Sequence, residues 1–236
     1  MTAVTMRLDR LLSQASGLSR NQVKALLRRD AVQVDGISVR DAALQVRNDQ
    51  QIRLQDMQLE WPRERYVMLH KPAGYVCSTA EEGNHAKVAS LVDRPWALQL
   101  HSAGRLDADS TGLVLLTTDG QWSHALTSPR RQCFKTYIVG VRHPLADDLV
   151  ERFATGILLN DDPQPTLPAC LELIDALTAR VRIQEGRYHQ VRRMFAACGN
   201  RVESLHRSAI GHIVLDAALQ PGEWRELTAQ EISGGC

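Results

Sequence analysis

The sequence predicts an α+β protein in two parts. A small helix–helix–hairpin unit is followed by a larger unit with a mixed, largely antiparallel sheet and flanking helices. Three observations predict it. Residues 6–29 carry apolar side chains at helical spacing twice over, and residues 32–39 then alternate around Asp35-Gly36. Residues 54–64 are polar, contain Pro62 and lack a clear period, which reads as a linker. Beyond residue 65, strand and helix patterns alternate without a regular β-α-β order, which argues against a parallel doubly wound sheet. The expected boundaries are 6–53, 54–64 and 65–236.

In the first part, residues 6–15 read as a helix with Leu8, Leu11 and Leu12 on one face, ended by Gly17. Ser19 and Gln22 form a capping box for a second helix over residues 20–29. Arg20, Lys24 and Arg28 recur at i, i+4 and i+8 as one basic stripe, opposite Val23, Leu26 and Leu27. Asp35-Gly36 is a hairpin signal between two short strands, and a further strand is expected near residues 51–54. In the second part, strands are expected at residues 66–69, 75–78, 113–116, 134–141, 171–174, 180–183 and 205–215. Helices are expected at residues 145–155, closed by Gly156, and at 190–198, where Val191, Met194, Phe195 and Cys198 share a face. Residues 160–168 hold three prolines and read as irregular.

A chain of 236 residues with 44% hydrophobic and 23% charged residues is long enough for two folded cores. No stretch has the length of a membrane span, and the N-terminus lacks a signal-peptide core, so a cytoplasmic location without membrane partners is expected. Cys77, Cys133, Cys170, Cys198 and Cys236 lack C-x-x-C spacing and read as reduced thiols. The net charge of +1 hides segregation: residues 1–29 carry six Lys/Arg against one acid, and residues 186–207 carry five Arg against one Glu. Basic patches on a near-neutral chain suggest a polyanionic partner, against the plainer reading of solvated helix faces. No unmatched apolar helix face stands out, so a monomer is expected.

The usual signatures are absent. There is no G-x-x-x-x-G-K-[ST], no G-x-G-x-x-G, no H-E-x-x-H and no G-x-S-x-G. His101, His124 and His143 read as surface or satisfied core residues. What remains is a carboxylate in a basic setting. "GRLDADSTGLVLLTTDG", residues 104–120, places Asp107 directly after Arg105 and Leu106 and just before a buried strand. Asp119-Gly120 is explained by turn chemistry. Asp107 is either half of an ion pair with Arg105 or Arg192, or it does chemistry.

That stretch resembles the catalytic motif of pseudouridine synthases of the RsuA type. "LHKPAGYVCST" at 69–79, "KTYIV" at 135–139 and "EGRYHQVRRMFAACGN" at 185–200 are similar to further motifs of the family, in its order. The N-terminal part, with "RLDRLL", "SR" and "VKALLRRDAVQVDG", resembles the S4 RNA-binding domain. The resemblance covers nearly the whole chain and implies isomerisation of a uridine to pseudouridine without a metal, nucleotide or redox cofactor. It implies Asp107 as the catalytic residue, Tyr137 as the ring stacked on the target base and Arg192, with Arg193 as its nearest rival, as the cation against the catalytic carboxylate. Arg192 follows Val191 by about 100° around its helix and so reaches toward the cleft rim. Arg105, Lys71, Arg187, Val191 and Lys135 are implied as substrate-binding, and Arg20, Lys24 and Arg28 as RNA-binding. Lys71, Pro72 and Gly74 are expected to shape the loop, with Lys71 also touching phosphate, while Asp109 receives no part. The implied partner is 16S rRNA or a small-subunit assembly intermediate, at uridine 516. The alternatives are a target in 23S rRNA, or a non-catalytic RNA-binding assembly factor.

Overall fold

The computed structural model describes residues 4–78, 85–128, 131–160 and 162–234, arranged as two compact units. The first holds residues 1–64 together with 93–100, and the second holds 65–92 and 101–236.

In the first unit, β1 (Thr5–Arg7) leads straight into α1 (Leu8–Ser16). Leu8, Leu11, Leu12 and Ala15 recur at helical spacing and are all buried. Gly17 ends the helix in the left-handed region at φ 73°, its N–H donating to the Ser13 carbonyl. The capping box is present: the Ser19 hydroxyl accepts from the Gln22 N–H, and the Gln22 side chain accepts from the Ser19 N–H. A cap of this kind contributes ~1 kcal/mol to α2 (Arg20–Arg28). Val23 and Leu27 are buried, which leaves Arg20, Lys24 and Arg28 exposed on the other side.

β2 (Val32–Val34) and β3 (Ile37–Ser38) form the expected hairpin, with both Asp35 and Gly36 at positive φ. β4 (Gln45–Arg47) pairs with β1, and β5 (Ile52–Leu54) pairs with β2. The expected linker differs from what is found. Its residues Met57–Leu59 form β6, which pairs with β5 and buries Leu59 against α1 and the sheet. One apolar anchor and a turn at Gln55 suffice for this strand, too short a pattern for a period to register.

The second unit is built on a nine-stranded sheet. Its strands are β7 (Tyr66–Lys71), β10 (His101–Ser102), β11 (Thr111–Thr117), β12 (Lys135–Val141), β13 (Cys170–Leu173), β14 (Thr178–Ile183), β15 (Val202–Ile210), β16 (Ile213–Val214) and β17 (Trp224–Glu226). The order is β13-β14-β12-β15-β11-β7-β17, with β10 on β11 and β16 on β15. A separate parallel pair joins β8 (Tyr75–Val76) to β9 (Ala86–Lys87). The helices are α3 (Gly120–Thr127), α4 (Leu149–Thr155), α5 (Gln190–Ala197) and α6 (Ala229–Ser233).

Among the described residues every pairing in the large sheet is antiparallel except that of β11 with β15. At that junction Gly112 faces Arg207, and a Cβ on Gly112 would lie 2.3 Å from the Arg207 carbonyl oxygen. Only glycine lets the two strands meet.

Several expectations change in detail. The helix expected from residue 145 begins at Leu149, and Leu145 instead joins its N–H to the Ala176 carbonyl. The strand expected over residues 205–215 is two strands turned at Gly211. Asp119 is the N-cap of α3 rather than a plain turn residue. Its carboxylate accepts the N–H groups of Gln121 and Trp122 and the hydroxyl of Tyr66. Cys77, Cys170 and Cys198 are free thiols, whereas Cys133 takes part in a disulfide, against the reading of all five as reduced. Cys236 lies outside the described residues. Residues 93–100 cluster with the first unit, so the second is not the continuous stretch 65–236.

Candidate active site

The loop over residues 104–110 joins β10 to β11 and is fastened from below by two buried cations. Lys71, at the end of β7, is fully buried. Its ammonium donates to the carbonyl oxygens of Pro72 at 3.0 Å, Ala108 at 3.1 Å and Ser110 at 2.6 Å. Burial lowers the Lys71 pKa, while the carboxylates of Asp109 and Asp107 and the thiol of Cys77 act the other way. Arg207, on β15, is 2% exposed. It donates Nε to the Leu113 carbonyl at 2.8 Å and Nη1 to the Arg105 carbonyl at 2.9 Å. The Ser110 N–H closes the loop on the Asp107 carbonyl. The backbone on both sides of Asp107 is therefore held through its own carbonyl oxygens by the Lys71 and Arg207 side chains, with the Asp107 side chain left out of the scaffold.

That side chain opens into a cleft of about 540 Å³. Around it stand Tyr137 and Lys135 from β12, Arg207 from β15 and His189 and Val191 at the start of α5. Tyr137 pairs with Arg207 across the strands, so ring and guanidinium are neighbours by register. Lys135 lies two residues along the same face, and burial, helped by the Arg207 charge, lowers its pKa. Asp107 meets His189, whose Nε2 lies 3.6 Å from Oδ1.

The sequence-predicted site residues divide. Asp107, Tyr137, Arg105, Lys135, Arg187 and Val191 all line the cleft. Lys71 does not: its three donors are spent on carbonyls beneath the loop, so it has the expected loop-shaping part and makes no contact into the cleft. Arg187 is likewise consumed, pairing with Glu185 and donating to the carbonyls of Gln164 and Pro165 in the proline-containing segment.

Arg192 is not against Asp107. Its Nη2 pairs with Asp109 at 2.8 Å, and its Nη1 donates to the Val202 carbonyl at 3.3 Å. Val191 takes the cleft-facing position, and the 100° step puts Arg192 on the outer side of the loop, where Asp109 is the carboxylate within reach. Asp109 thus gains a part that the sequence did not assign.

The family profile for RNA pseudouridylate synthases matches residues 65–197, which include the Asp107 loop, Tyr137 and the start of α5. The chain belongs to the RNA pseudouridine synthases. A profile for the S4 domain matches residues 6–52. This pseudouridine synthase is 51% identical to the ribosomal small subunit pseudouridine synthase A of Yersinia pestis, over 97% of each chain. It is 50% identical to the protein of that name from Escherichia coli (strain K12), over 97% of this chain and 99% of the other. A crystal structure of a pseudouridylate synthase matches with a TM-score of 0.70 at 46% identity, covering 96% of this chain and 98% of that one.

In this synthase two cleft residues carry no mark in the motif reading. His189 stands inside "RYHQV" as an ordinary histidine, and nothing local tells that its ring will meet Asp107. Arg207 does leave a signal. Alternation along β15 puts Leu205 and Arg207 on one buried face, and an arginine at an inward position requires internal partners.

Proposed function

We propose that this enzyme converts a uridine of 16S rRNA, uridine 516 by resemblance, into pseudouridine, with Asp107 as the reacting group. The observation that carries the reading is the Asp107 carboxylate, facing an open cleft beside Tyr137 while the backbone of its loop is held through the carbonyls of Arg105, Ala108 and Ser110. The 16S assignment rests on the relatives named for the small ribosomal subunit.

The reaction is an isomerisation. The bond from C1′ to N1 breaks, the uracil turns, and a bond from C1′ to C5 forms. The proton lost at C5 balances the one gained at N1, so no oxidant or reductant enters. Each route to this outcome begins with an anionic group at the ribose or at uracil C6, and Asp107 supplies it. The target leaves its stack to reach the cleft, where Tyr137 offers a ring face and Val191 an apolar side. Arg207 and Lys135 make the floor electropositive, which favours an anionic Asp107 and the phosphate flanking the target. Arg105 meets that backbone at the rim. Arg192 acts through Asp109 on the loop, and Arg187 braces the cleft wall.

Arg20, Lys24 and Arg28 bind phosphates through the exposed face of α2 and position the enzyme on the rRNA. The proposal extends to a monomer that meets its rRNA in the cytoplasm.

Carbodiimide-based mapping of 16S and 23S rRNA, free and as assembling particles, tests the target. One site in 16S rRNA is expected. A site only in 23S rRNA would overturn the target and keep the chemistry. Replacing Arg20, Lys24 and Arg28 together by alanine is expected to weaken binding and reduce the slope of log affinity against log salt by about two. An unchanged slope would remove this face from the interface.

A further inference from the structure

The cleft mouth carries a feature that the uridine chemistry leaves unused. Tyr188 is 77% exposed, an unusual position for a large ring. Its inner face is covered by the His189 imidazole, with centroids 3.9 Å apart and planes 17° from parallel. His189 in turn reaches Asp107 at 3.6 Å. Carboxylate, imidazole and phenol therefore form a ladder from the cleft floor to solvent, with the outer face of Tyr188 as its open end.

The ladder is held rigidly. His189 adopts left-handed backbone at φ 48°, a strained setting for a non-glycine residue. Arg193 Nη1 donates to the Tyr188 carbonyl at 3.3 Å. Gln190 bridges the turn, accepting from the Arg187 N–H and donating to Glu185. An exposed ring on a braced, strained turn is preorganised for a planar partner.

We propose that Tyr188 is a stacking platform for the nucleobase next to the target uridine. This rests on the reading of the cleft as the uridine site. When the target leaves its stack, its neighbour loses a partner on one face. Tyr188 replaces that partner, and His189 fixes the platform's distance from Asp107. Every base has a π face, so the platform grips the strand without choosing its sequence. The basic Arg105 and Lys135 nearby suit a nucleic-acid strand better than an apolar peptide.

The test compares wild-type protein with Tyr188→Leu and Tyr188→Phe. In turnover on 16S rRNA, Tyr188→Leu is expected to raise KM about tenfold, with the loss falling on KM more than on kcat, and Tyr188→Phe to restore it. In parallel, a uridine-rich RNA oligomer carrying one 2-aminopurine is titrated to saturation, followed by anisotropy. Wild-type and Tyr188→Phe proteins are expected to quench its fluorescence by stacking, and Tyr188→Leu to lose that quenching. An unchanged KM in Tyr188→Leu, equal or absent quenching at saturation, or a phenylalanine variant as impaired as the leucine one would each overturn the proposal. Wild-type protein inactive on 16S rRNA would sink the substrate assignment alone, and the quenching comparison would still decide on the platform.

Discussion

Asp107→Asn abolishes pseudouridine formation, with a fall of about 10⁴-fold or more, and leaves RNA affinity within several-fold. The substitution keeps the shape of the side chain and removes its charge and nucleophilicity. The loop does not depend on that side chain. Lys71 holds the carbonyls of Ala108 and Ser110, and Arg207 holds that of Arg105. The ion pair of the carboxylate with His189, at 3.6 Å, is partly exposed and of small energetic weight. Stability is therefore expected to change by less than about 0.5 kcal/mol. Turnover and denaturant melts of the same preparation separate the two readings of Asp107 that its sequence context permits. A variant that melts early yet still modifies RNA would make Asp107 a structural residue.

Gly112→Ala strikes the fold where the site is assembled. The new Cβ would stand 2.3 Å from the Arg207 carbonyl oxygen and 2.7 Å from its nitrogen, both rigid backbone atoms, at φ 106°. Relief requires β11 and β15 to separate, and Arg207 would withdraw from the Arg105 carbonyl as they do. The expected cost exceeds about 3 kcal/mol, with turnover lost alongside. Gly222→Ala is the control. It sits at φ 94° with nothing within 4 Å of an added Cβ, so it carries the backbone strain without the collision. Its expected cost is about 1–2 kcal/mol. Equal denaturant midpoints for the two variants would show that the close approach of β11 and β15 is not what Gly112 serves.

These two residues illustrate how legible the protein is in one dimension. Asp107 and Gly112 both lie in "GRLDADSTG", and the motif points to the first by resemblance. The reason for the second lies about ninety residues downstream. Local features are legible: both N-terminal helices, the Ser19–Gln22 box, the Asp35-Gly36 hairpin and the apolar face of α5 all follow from patterns spanning a few residues. The hydrogen bonds and burial that make them are themselves short-range.

The sequence by itself determined the α+β class, the family, the basic stripe of Arg20, Lys24 and Arg28, and the place of Asp107 and Tyr137. Tertiary structure alone decided which cations serve which carboxylates and carbonyls. It sent Lys71 beneath the loop, paired Arg192 with Asp109, brought His189 to Asp107 and made Arg207 the buried charge of the cleft. It also drew Met57–Leu59 into a sheet. Periodicity reports which face of an element is apolar. The partner of a lone charge is set by whichever strand or turn arrives across from it, and in this chain that contact spans 102 residues for Arg207 and 161 for Arg65.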